Sequence, residues 1–450
     1  MFSLRELARL SDGQFLGGKD CKPRRVVHDS RQVNPGDLFV ALPGRRVDGH
    51  SFLAEVFARG ACGAIISDRG FVPESGHGLI LVKDTLEALH KIAAAWRKGL
   101  VAKFVGVTGS CGKTTTKALI AHLLRGDMRV FSAPESFNTE VGLPLALLGM
   151  PRSTKIGIFE LGTNAPGEIA ALAALLAPQV AVLTMVGRVH LEGFGTLEEI
   201  ANEKWDLIRA LPQNGVGIIP ADPPVLAQLI EQEDRQLISF GLEQGDLRGR
   251  IIQTVPNLRL RISDPRLELD PPLIGGHNAV NLLAAVGCAL HLGVSPHMIE
   301  KRVATFVPIP HRLQLIHAPL GYILDDSYNA NPGATRAALR VLAELDLPVK
   351  QRAFVFGDML ELGKGSMHYH REILELALRL GISPIFPVGE AATAAAQNIQ
   401  DQRPRGRIIF ADKEELPDRV RKTLRGDQNL LLIKGSRLLG LEKLVEELSG

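Results

Sequence analysis

The chain has 450 residues, which is enough for about three domains of ordinary size. Hydrophobic residues make up 45% and charged residues 22%, as is typical of a globular protein, and 52 basic residues nearly balance 49 acidic ones. The net charge of +3 gives no general argument for binding nucleic acid or a membrane surface, so an anionic ligand must be held by local groups.

The N-terminus and the cysteines favour a reducing compartment. The first stretch, MFSLRELARLSDG, carries charges and lacks the apolar core of a signal peptide. The cysteines are far apart in sequence and form no C-x-x-C pair, which argues against a disulfide framework or a zinc site. We therefore expect a cytoplasmic protein.

Residues 1–99 mix short strand-like runs with turns and are predicted to form a first domain. The stretches GDLFVALPG (36–44) and ACGAIIS (61–67) predict strands, and residues 52–59 predict a helix. This small α/β domain precedes a clear change of pattern near residue 104.

The stretch VTGSCGKTTTK (107–117) follows an apolar strand and begins a helix, which is the context of a phosphate-binding loop. The usual pattern is G-x-x-x-x-G-K-[ST], but Val107 stands at its first position, so we expect Thr108 and Gly109 to form the turn. The loop N–H groups and the helix N-terminus would face an anion. Lys113 would reach the outer phosphates, and the Thr114 hydroxyl would hold Mg²⁺. The alternative is a helix start that is merely rich in capping residues. The predicted nucleotide contacts of the loop are Val107, Thr108, Gly109, Ser110, Cys111, Gly112, Lys113, Thr114 and Thr115.

Two strands follow the loop and end in residues that can bind metals. The run KIGIFE ends at Glu160, and VAVLTMVG (180–187) ends just before His190. Ligands in open parallel sheets bind beyond the carboxyl ends of the strands, so Lys113, Glu160 and His190 should lie along one edge. A solvent-facing acid and a structural histidine are the alternatives for these two residues when each is taken alone.

Residues 169–187 contain no charge and are long enough to cross a membrane. Pro178 and Gln179 divide this stretch into an Ala/Leu-rich half and a Val-rich half. We therefore predict a buried helix, a turn and a buried strand, and no membrane span.

A helix is predicted to begin at Thr196, because Thr196 and Glu199 fit a capping box. Lys204 lies about two turns into this helix, where a lysine taken alone is usually a solvated charge. Farther on, residues 255–270 alternate apolar and polar side chains and predict an antiparallel hairpin. The alternation of strands and helices over residues 100–307 predicts a central domain with a mostly parallel sheet.

A break at FVPIPHR (306–312) begins the third predicted domain, residues 308–450. Four apolar runs there alternate with helical stretches, which again predicts a parallel sheet. The runs are GYILDD, RAFVFGD, SPIFPVG and NLLLIKG.

Taken together, these stretches resemble the Mur ligases, and the matches cover nearly the whole chain. The N-terminal matches are DSRQVNPGDLFVALPG (29–44) and DGHSF (48–52). The central matches are VTGSCGKTTTK, SFNTEVGLPL (136–145), ELGTNAPGEIA (160–170), HLEGFGTLEEIANEK (190–204) and GGHNAVNLLAA (275–285). The later matches are DDSYNANPGATRAAL (325–339), GDMLELG (357–363) and KGSRLLGLE (434–442).

The resemblance implies an α/β protein of three domains: a small uridine-nucleotide domain, a central P-loop domain with a parallel sheet, and a Rossmann-like C-terminal domain. It implies an ATP-dependent ligase of cytoplasmic peptidoglycan precursor synthesis, acting as a monomer. This ligase would join D-alanyl-D-alanine to a UDP-N-acetylmuramoyl-tripeptide through an acyl phosphate. The γ-phosphate would go to a carboxylate of the tripeptide, and the amine of the dipeptide would then displace it.

The resemblance also implies two Mg²⁺ ions and a modified lysine. Thr114 would hold the first ion, while Glu160 and His190 would hold the second. Lys204 would be carbamylated, because CO₂ adds to a neutral lysine amine and turns it into an oxygen ligand that suits Mg²⁺. Such a lysine needs a lowered pKa, which burial beside other cations would provide.

Further contacts are implied residue by residue. The nucleotide contacts are Asn281 at the adenine, Arg312 at a phosphate, and Asp326. The residues assigned to the dipeptide cleft are Tyr328, Asn329, Asn331, Asp358, Lys434 and Ser436, and a lysine or arginine of the KGSR stretch would hold the dipeptide carboxylate. The residues assigned to the UDP-linked substrate are Ser30, Arg31, Asp48, His50, Asn138 and Thr139. Relatives commonly have lysine where this chain has Pro43, which leaves the individual uridine contacts open.

Three alternatives remain beside this interpretation. One is a sister Mur ligase that adds another amino acid, although the DNPR stretch of the diaminopimelate- or lysine-adding enzyme is not seen. A folate polyglutamate ligase would leave the N-terminal domain unexplained. The third, of another class, is a binding subunit switched by a nucleotide without ligation; phosphate release that requires both peptide substrates would exclude it.

Overall fold

The computed structural model describes residues 1–44, 47–71, 76–187, 194–402 and 408–450. These residues form three sheets that follow one another along the chain, each with helices packed against it. The α/β fold class predicted from the sequence is confirmed. The boundaries predicted after residues 99 and 307 fall between the sheets and stay predictions.

The N-terminal sheet has the order β1-β5-β4-β3-β2 within the described residues. Its strands are Gln14–Gly17 (β1), Val26–Val27 (β2), Leu38–Val40 (β3), Gly63–Ile66 (β4) and Gly78–Leu81 (β5). The helices are Leu4–Leu10 (α1), Leu53–Ala58 (α2) and Thr85–Lys98 (α3). Strand β1 is antiparallel to β5 and the other pairs are parallel. The carboxyl ends of β2, β3 and β4 therefore lie at one edge.

Helix α3 connects this region to the next one. Asp84 accepts hydrogen bonds from the backbone N–H groups of Leu86 and Glu87, which caps the helix N-terminus. The buried face of α3 ends at Trp96, whose indole N–H donates to the carbonyl oxygen of Met150 at 3.4 Å. The N-terminal and central regions share one hydrophobic core as a result.

The central sheet has the order β14-β13-β12-β11-β10-β9-β6-β8-β7 within the described residues. Its strands are Lys103–Thr108 (β6), Val130–Ser132 (β7), Ile156–Glu160 (β8), Val180–Leu183 (β9), Val216–Pro220 (β10), Gln236–Gly241 (β11), Leu247–Gln253 (β12), Arg259–Ile262 (β13) and Leu267–Leu269 (β14). The helices are Lys113–Leu124 (α4), Gly142–Leu148 (α5), Glu168–Leu176 (α6), Leu197–Arg209 (α7), Ala227–Glu231 (α8), His277–His291 (α9) and Pro296–Val303 (α10). Strands β6 to β12 pair in parallel, and β12, β13 and β14 form antiparallel hairpins.

Several sequence predictions are confirmed in this region. Thr196 and Glu199 form the expected capping box before α7. The uncharged stretch 169–187 divides into α6 and β9, as predicted. Among the described residues, no helix combines the length and the apolar character needed to span a membrane. The hairpin predicted over residues 255–270 is β13 and β14.

The C-terminal sheet has the order β15-β16-β19-β17-β18 within the described residues, and only β15 is antiparallel to its neighbour. Its strands are Gln314–Ala318 (β15), Gly321–Asp325 (β16), Gln351–Gly357 (β17), Ile385–Val388 (β18) and Asn429–Lys434 (β19). The helices are Pro332–Glu344 (α11), Ser366–Arg379 (α12), Glu390–Gln402 (α13), Leu416–Thr423 (α14) and Glu442–Ser449 (α15). The four apolar runs predicted here are β16 to β19.

Candidate active site

The turn of the phosphate-binding loop begins two positions after the place of the first glycine in the usual pattern. Val107 is a fully buried residue of β6, paired in register with Glu160 of β8. The turn starts at Gly109, where φ is +148°, and a side chain there would collide with Thr184. Gly112 has φ of +81° and lies against the side-chain amide of Asn281. Both glycines are therefore required by conformation and by space.

Glu160 is the centre of a buried hydrogen-bond network at the end of β8. It is 5% exposed, and it accepts hydrogen bonds from the Thr114 hydroxyl at 2.8 Å and from the Asn138 amide at 2.9 Å. Burial raises the pKa of Glu160, but the charges of Lys113 and Lys117 and the two hydrogen bonds outweigh it and hold the pKa below its usual value. Glu160 is therefore an ionised carboxylate that lies among cationic side chains.

Lys117 was missing from the residues predicted from sequence, although it lies in this cluster. Its ammonium group donates to the carbonyl oxygen of Ala133 at 2.6 Å, and burial lowers its pKa against the raising effect of Glu160. The residue stands three and four positions after Thr114 and Lys113 and so shares their helix face. That spacing was the available signal. Lys117 ties α4 to the segment that precedes Asn138.

Lys204 is also buried, with 2% of its surface exposed. Burial first, and the charge of Lys113 second, lower the pKa of Lys204 to about 7, while Glu203 and Cys111 act in the raising direction. Its neighbour Glu203 accepts hydrogen bonds from the N–H groups of Gly167 and Ile169 and so caps α6. Lys204 is thus held in position by a helix that is itself tied to the loop after β8.

Arg312 reaches into the phosphate loop from the linker between the second and third sheets. Its guanidinium donates to the Thr114 hydroxyl at 2.9 Å and lies 4.1 Å from the centre of the Tyr328 ring. The flanking residues His311 and Leu313 have φ of +61° and +54°, the left-handed region that non-glycine residues rarely adopt. His311 is fixed by a hydrogen bond of 2.7 Å between its Nδ1 and the buried Asp325.

Several residues assigned to the dipeptide cleft are occupied by internal bonds. Lys434 is 2% exposed and donates to Asp326 at 2.5 Å and to the carbonyl oxygen of Asn329 at 2.9 Å. Asp358 accepts the backbone N–H of Ala392 at 2.7 Å at the start of α13. Ser436 accepts the N–H of Leu360 at 2.9 Å. These contacts hold the C-terminal loops, and a direct role toward substrate stays a prediction.

One cavity of about 720 Å³ contains most of the predicted site. Its walls also include residues that the sequence did not indicate, among them His90 of α3 and Glu168 of α6, and they include Arg437 of the KGSR stretch. The predicted residues that line it are Ser110, Cys111, Gly112, Lys113, Thr114, Thr115, Asn138, Thr139, Glu160, Asn281, Arg312, Asp326, Tyr328, Asn329, Asn331 and Lys434. Residues of the N-terminal, central and C-terminal regions thus line this cleft, and His90 of helix α3 is the N-terminal contribution.

Asn278 and Asn281 are linked by a hydrogen bond near the start of helix α9. Asn278 is the second residue of α9, after the N-cap Gly276, and its amide donates to the carbonyl oxygen of Ile274 at 2.8 Å. The Asn281 amide donates to Asn278 at 3.0 Å. The pair therefore fixes the face of α9 that meets the phosphate loop, and the adenine contact of Asn281 stays a prediction.

Four residues predicted for the UDP-linked substrate lie outside that cavity, at the carboxyl edge of the N-terminal sheet: Ser30, Arg31, Asp48 and His50. Arg31 forms two hydrogen bonds to Asp29, while Ser30 is buried. His50 is buried, with Nδ1 at 2.6 Å from Asp48 and Nε2 accepting the N–H of Ser67 at 2.9 Å. Both groups follow strands at the ligand-binding edge of a parallel sheet. Their contacts with a uridine nucleotide stay predictions.

The predicted metal site is only partly described. His190 lies outside the described residues. Among those described, no three His, Cys, Asp or Glu side chains converge as a metal cage. The Thr114 hydroxyl and the Glu160 carboxylate nevertheless provide adjacent oxygen atoms, and Mg²⁺ is commonly held by one or two such protein oxygens together with substrate phosphates and water. This donor set fits Mg²⁺.

Three family models match successive parts of the chain. The Mur ligase family catalytic domain matches residues 24–97, the Mur ligase middle domain matches 107–289, and the glutamate ligase domain of the Mur ligases matches 311–437.

Individual relatives match almost end to end. The UDP-N-acetylmuramoyl-tripeptide–D-alanyl-D-alanine ligase of Bacillus subtilis is 33% identical over 427 residues, which is 94% of this chain and 92% of that protein. A crystal structure of MurF from Acinetobacter baumannii is similar with a TM-score of 0.87 and 31% identity, covering 100% of this chain and 98% of that one. The MurF ligase of Thermotoga maritima in complex with ADP has a TM-score of 0.81 and 29% identity, covering 95% and 97%.

Proposed function

This chain belongs to the Mur ligase family, and we propose that it is the ATP-dependent ligase that joins D-alanyl-D-alanine to a UDP-N-acetylmuramoyl-tripeptide. One observation in the structure carries the proposal. The Thr114 hydroxyl connects the phosphate loop, the Glu160 carboxylate and the Arg312 guanidinium in a single cleft lined by residues of the N-terminal, central and C-terminal regions. We place the reaction in the cytoplasm, which the four free cysteines support.

The reaction must bring an anionic carboxylate against a triphosphate. Two like charges at ~4 Å and an effective dielectric of ~20 repel by ~4 kcal/mol. That repulsion corresponds to about three decades in rate. Lys113, the loop N–H groups and Arg312 lie where they counteract it. The tripeptide carboxylate takes the γ-phosphate and releases ADP; the dipeptide amine then attacks the acyl carbon and releases phosphate.

Mg²⁺, when bound, would neutralise phosphate charge and orient the oxygens of the transferred group. In this chain Thr114 would hold one ion and Glu160 a second, and His190 is the further ligand of the second ion that the family resemblance implies. The Thr114 hydroxyl donates to Glu160 and accepts from Arg312, so Arg312 must release it for a metal to use the same oxygen. A phosphate is the natural new partner for the released guanidinium.

We also propose that Lys204 is carbamylated in the active enzyme. The support is its burial and its lowered pKa of about 7, which leaves about half of the amine neutral at neutral pH. The neutral amine adds CO₂ and releases a proton, and the product is a buried anion beside Lys113. A ¹³C NMR signal of a lysine carbamate under ¹³CO₂, lost in Lys204→Met, would support the modification; a spectrum without it would refute the modification.

The function is tested by an amine screen read by mass. The full chain is incubated with ATP, Mg²⁺ and UDP-N-acetylmuramoyl-tripeptide, together with D-alanyl-D-alanine, D-alanine, L-lysine or diaminopimelate. We expect an amide with the dipeptide and phosphate release that requires both peptide substrates. An amide with a single amino acid in place of the dipeptide would indicate a sister ligase. Phosphate release with neither substrate would indicate a nucleotide switch.

A further inference from the structure

The C-terminal wall of the cleft contains one basic side chain whose charge is largely open to solvent. Arg437 lines the cavity, and its side chain is 56% exposed. Its ion-pair partner among the described residues is Glu442, at 3.4 Å, a distance longer than a normal charged hydrogen bond. The guanidinium therefore keeps donors available for a ligand.

The other cations of the cleft are committed elsewhere. Lys434 is buried and already donates to Asp326 and to the carbonyl oxygen of Asn329. Arg312 donates to Thr114 at the phosphate end of the cleft. Lys113 donates to the carbonyl oxygen of Gly109 at 2.8 Å within its own loop. Of the KGSR stretch, Arg437 is thus the residue that can take a ligand carboxylate without breaking a buried ion pair.

Contacts with the Tyr328 ring set an upper limit on the distance between Arg437 and Arg312 at the phosphate end. The ring centre lies 4.1 Å from the guanidinium carbon of Arg312 and 5.2 Å from that of Arg437, so the two carbons are at most about 9 Å apart, the sum of both distances. An extended dipeptide spans roughly 7 Å, and a single amino acid spans roughly half of that. A dipeptide whose amine lies beside the reacting phosphate end is therefore long enough to reach Arg437 with its carboxylate.

We propose that Arg437 binds the terminal carboxylate of the incoming dipeptide. The inference rests on the proposed function. Arginine suits this role because its planar donors match a carboxylate in two parallel hydrogen bonds. Tyr328 supports the guanidinium through its ring, and its own hydroxyl lies 3.2 Å from the Ser136 hydroxyl of the central region.

The test compares acid and amide forms of the same dipeptide. Steady-state kinetics of the full chain use D-alanyl-D-alanine, its C-terminal carboxamide and D-alanine as amines. For wild type we expect the carboxamide to have a KM about 10- to 100-fold above that of the acid, because the charged hydrogen bonds are lost. Arg437→Met should raise the KM of the acid by a similar factor, leave the carboxamide unchanged, and change kcat by less than about threefold.

Matched variants separate this role from a general effect of charge or folding. Lys443→Met removes an exposed cation from the adjacent helix and should leave both KM values unchanged. Arg437→Lys should recover part of the preference for the acid. Equal KM values for acid and carboxamide in wild type, or equal losses for both in Arg437→Met, would overturn the inference while the ligase function stands. Wild type that ligates no amine would overturn the proposed function and this inference together.

Discussion

The two walls of the cleft are built in opposite ways. On the central wall, Glu160, Lys117 and Lys204 are buried, and Glu160 and Lys117 are held by hydrogen bonds. On the C-terminal wall, Tyr328 and Arg437 are partly exposed and contact each other through a ring and a guanidinium. We expect the buried charges to act on the phosphate transfer, because charge interactions are strong where water is excluded. We expect the exposed donors to act on the binding of the amine.

This comparison predicts where each substitution acts. Changes in the central wall, the buried one, should lower kcat at any dipeptide concentration, since they alter the charge around the reacting phosphate. Changes in the C-terminal wall, the open one, should act mainly on the KM of the dipeptide. A substitution in the central wall that changes only the dipeptide KM, or one in the C-terminal wall that changes only kcat, would contradict this division.

The largest effect is expected at Lys204. Lys204→Ala should lower turnover by about 10²- to 10³-fold, because it removes a charged group from a preorganised site. Short carboxylic acids such as formate or acetate should restore part of the rate by entering the space left by the side chain. Lys204→Met keeps the volume, should fold as wild type does, and should show no such rescue. Near-normal turnover in the alanine variant would refute the assignment.

Glu160 should come next, with an effect on metal dependence. Glu160→Gln keeps the shape but removes the charge that attracts Lys113 and Lys117. We expect the Mg²⁺ concentration for half-maximal rate to rise by about 10- to 100-fold. The control is Glu135→Gln, an exposed carboxylate that also acts on Lys117 but has no bond to Thr114. A Glu160→Gln protein without cooperative thermal unfolding would instead mark Glu160 as structural.

The pH dependence provides a test of intermediate size. The pKa of Lys204 is lowered to about 7, so the amine is protonated below that pH and cannot add CO₂. At a fixed, limiting CO₂ pressure, the rate should fall at least about tenfold for each pH unit below 7. Raising the CO₂ pressure should move this decline to lower pH. Identical pH profiles at two CO₂ pressures would contradict the proposed carbamate.

Sequence reasoning located the buried wall better than the open one, and the reason is topological. The spacing of the phosphate loop and the ends of β6 and β8 are local features, and the parallel register then brings Lys113 and Glu160 to the same edge. The pairing of Val107 with Glu160 also explains why a valine can replace the usual first glycine, because that position belongs to the strand.

The open wall depends on contacts between elements that are distant in sequence. Lys434 and Arg437 are three residues apart. Lys434 is the last residue of β19 and forms an ion pair with Asp326, whereas Arg437 follows in a turn and stays exposed. No local sequence pattern shows which of these two cations is buried in an ion pair and which is exposed. Asp358 was likewise predicted to contact the dipeptide. In the structure its carboxylate accepts the N–H of Ala392 and so caps α13, which begins about thirty residues later in the sequence.

The smallest predicted effect concerns the contact between the two walls. Ser136 and Tyr328 have hydroxyl oxygens 3.2 Å apart, and this hydrogen bond joins the central region to the C-terminal one. Ser136→Ala and Tyr328→Phe should each raise the dipeptide KM by about fivefold, since a neutral hydrogen bond contributes about 1 kcal/mol. The double variant should lose no more than either single variant, because both remove the same bond.

The matched control for this pair is Tyr322→Phe, which removes a hydroxyl from β16 outside the cavity and should leave the KM unchanged. Additive losses in the double variant would mean that the two hydroxyls act independently on the substrate. A decrease of kcat with constant KM would mean that the contact governs the phosphate transfer. In that case the Tyr328 hydroxyl would belong functionally to the central wall, and Arg437 would remain as the residue of the C-terminal wall that acts on the dipeptide.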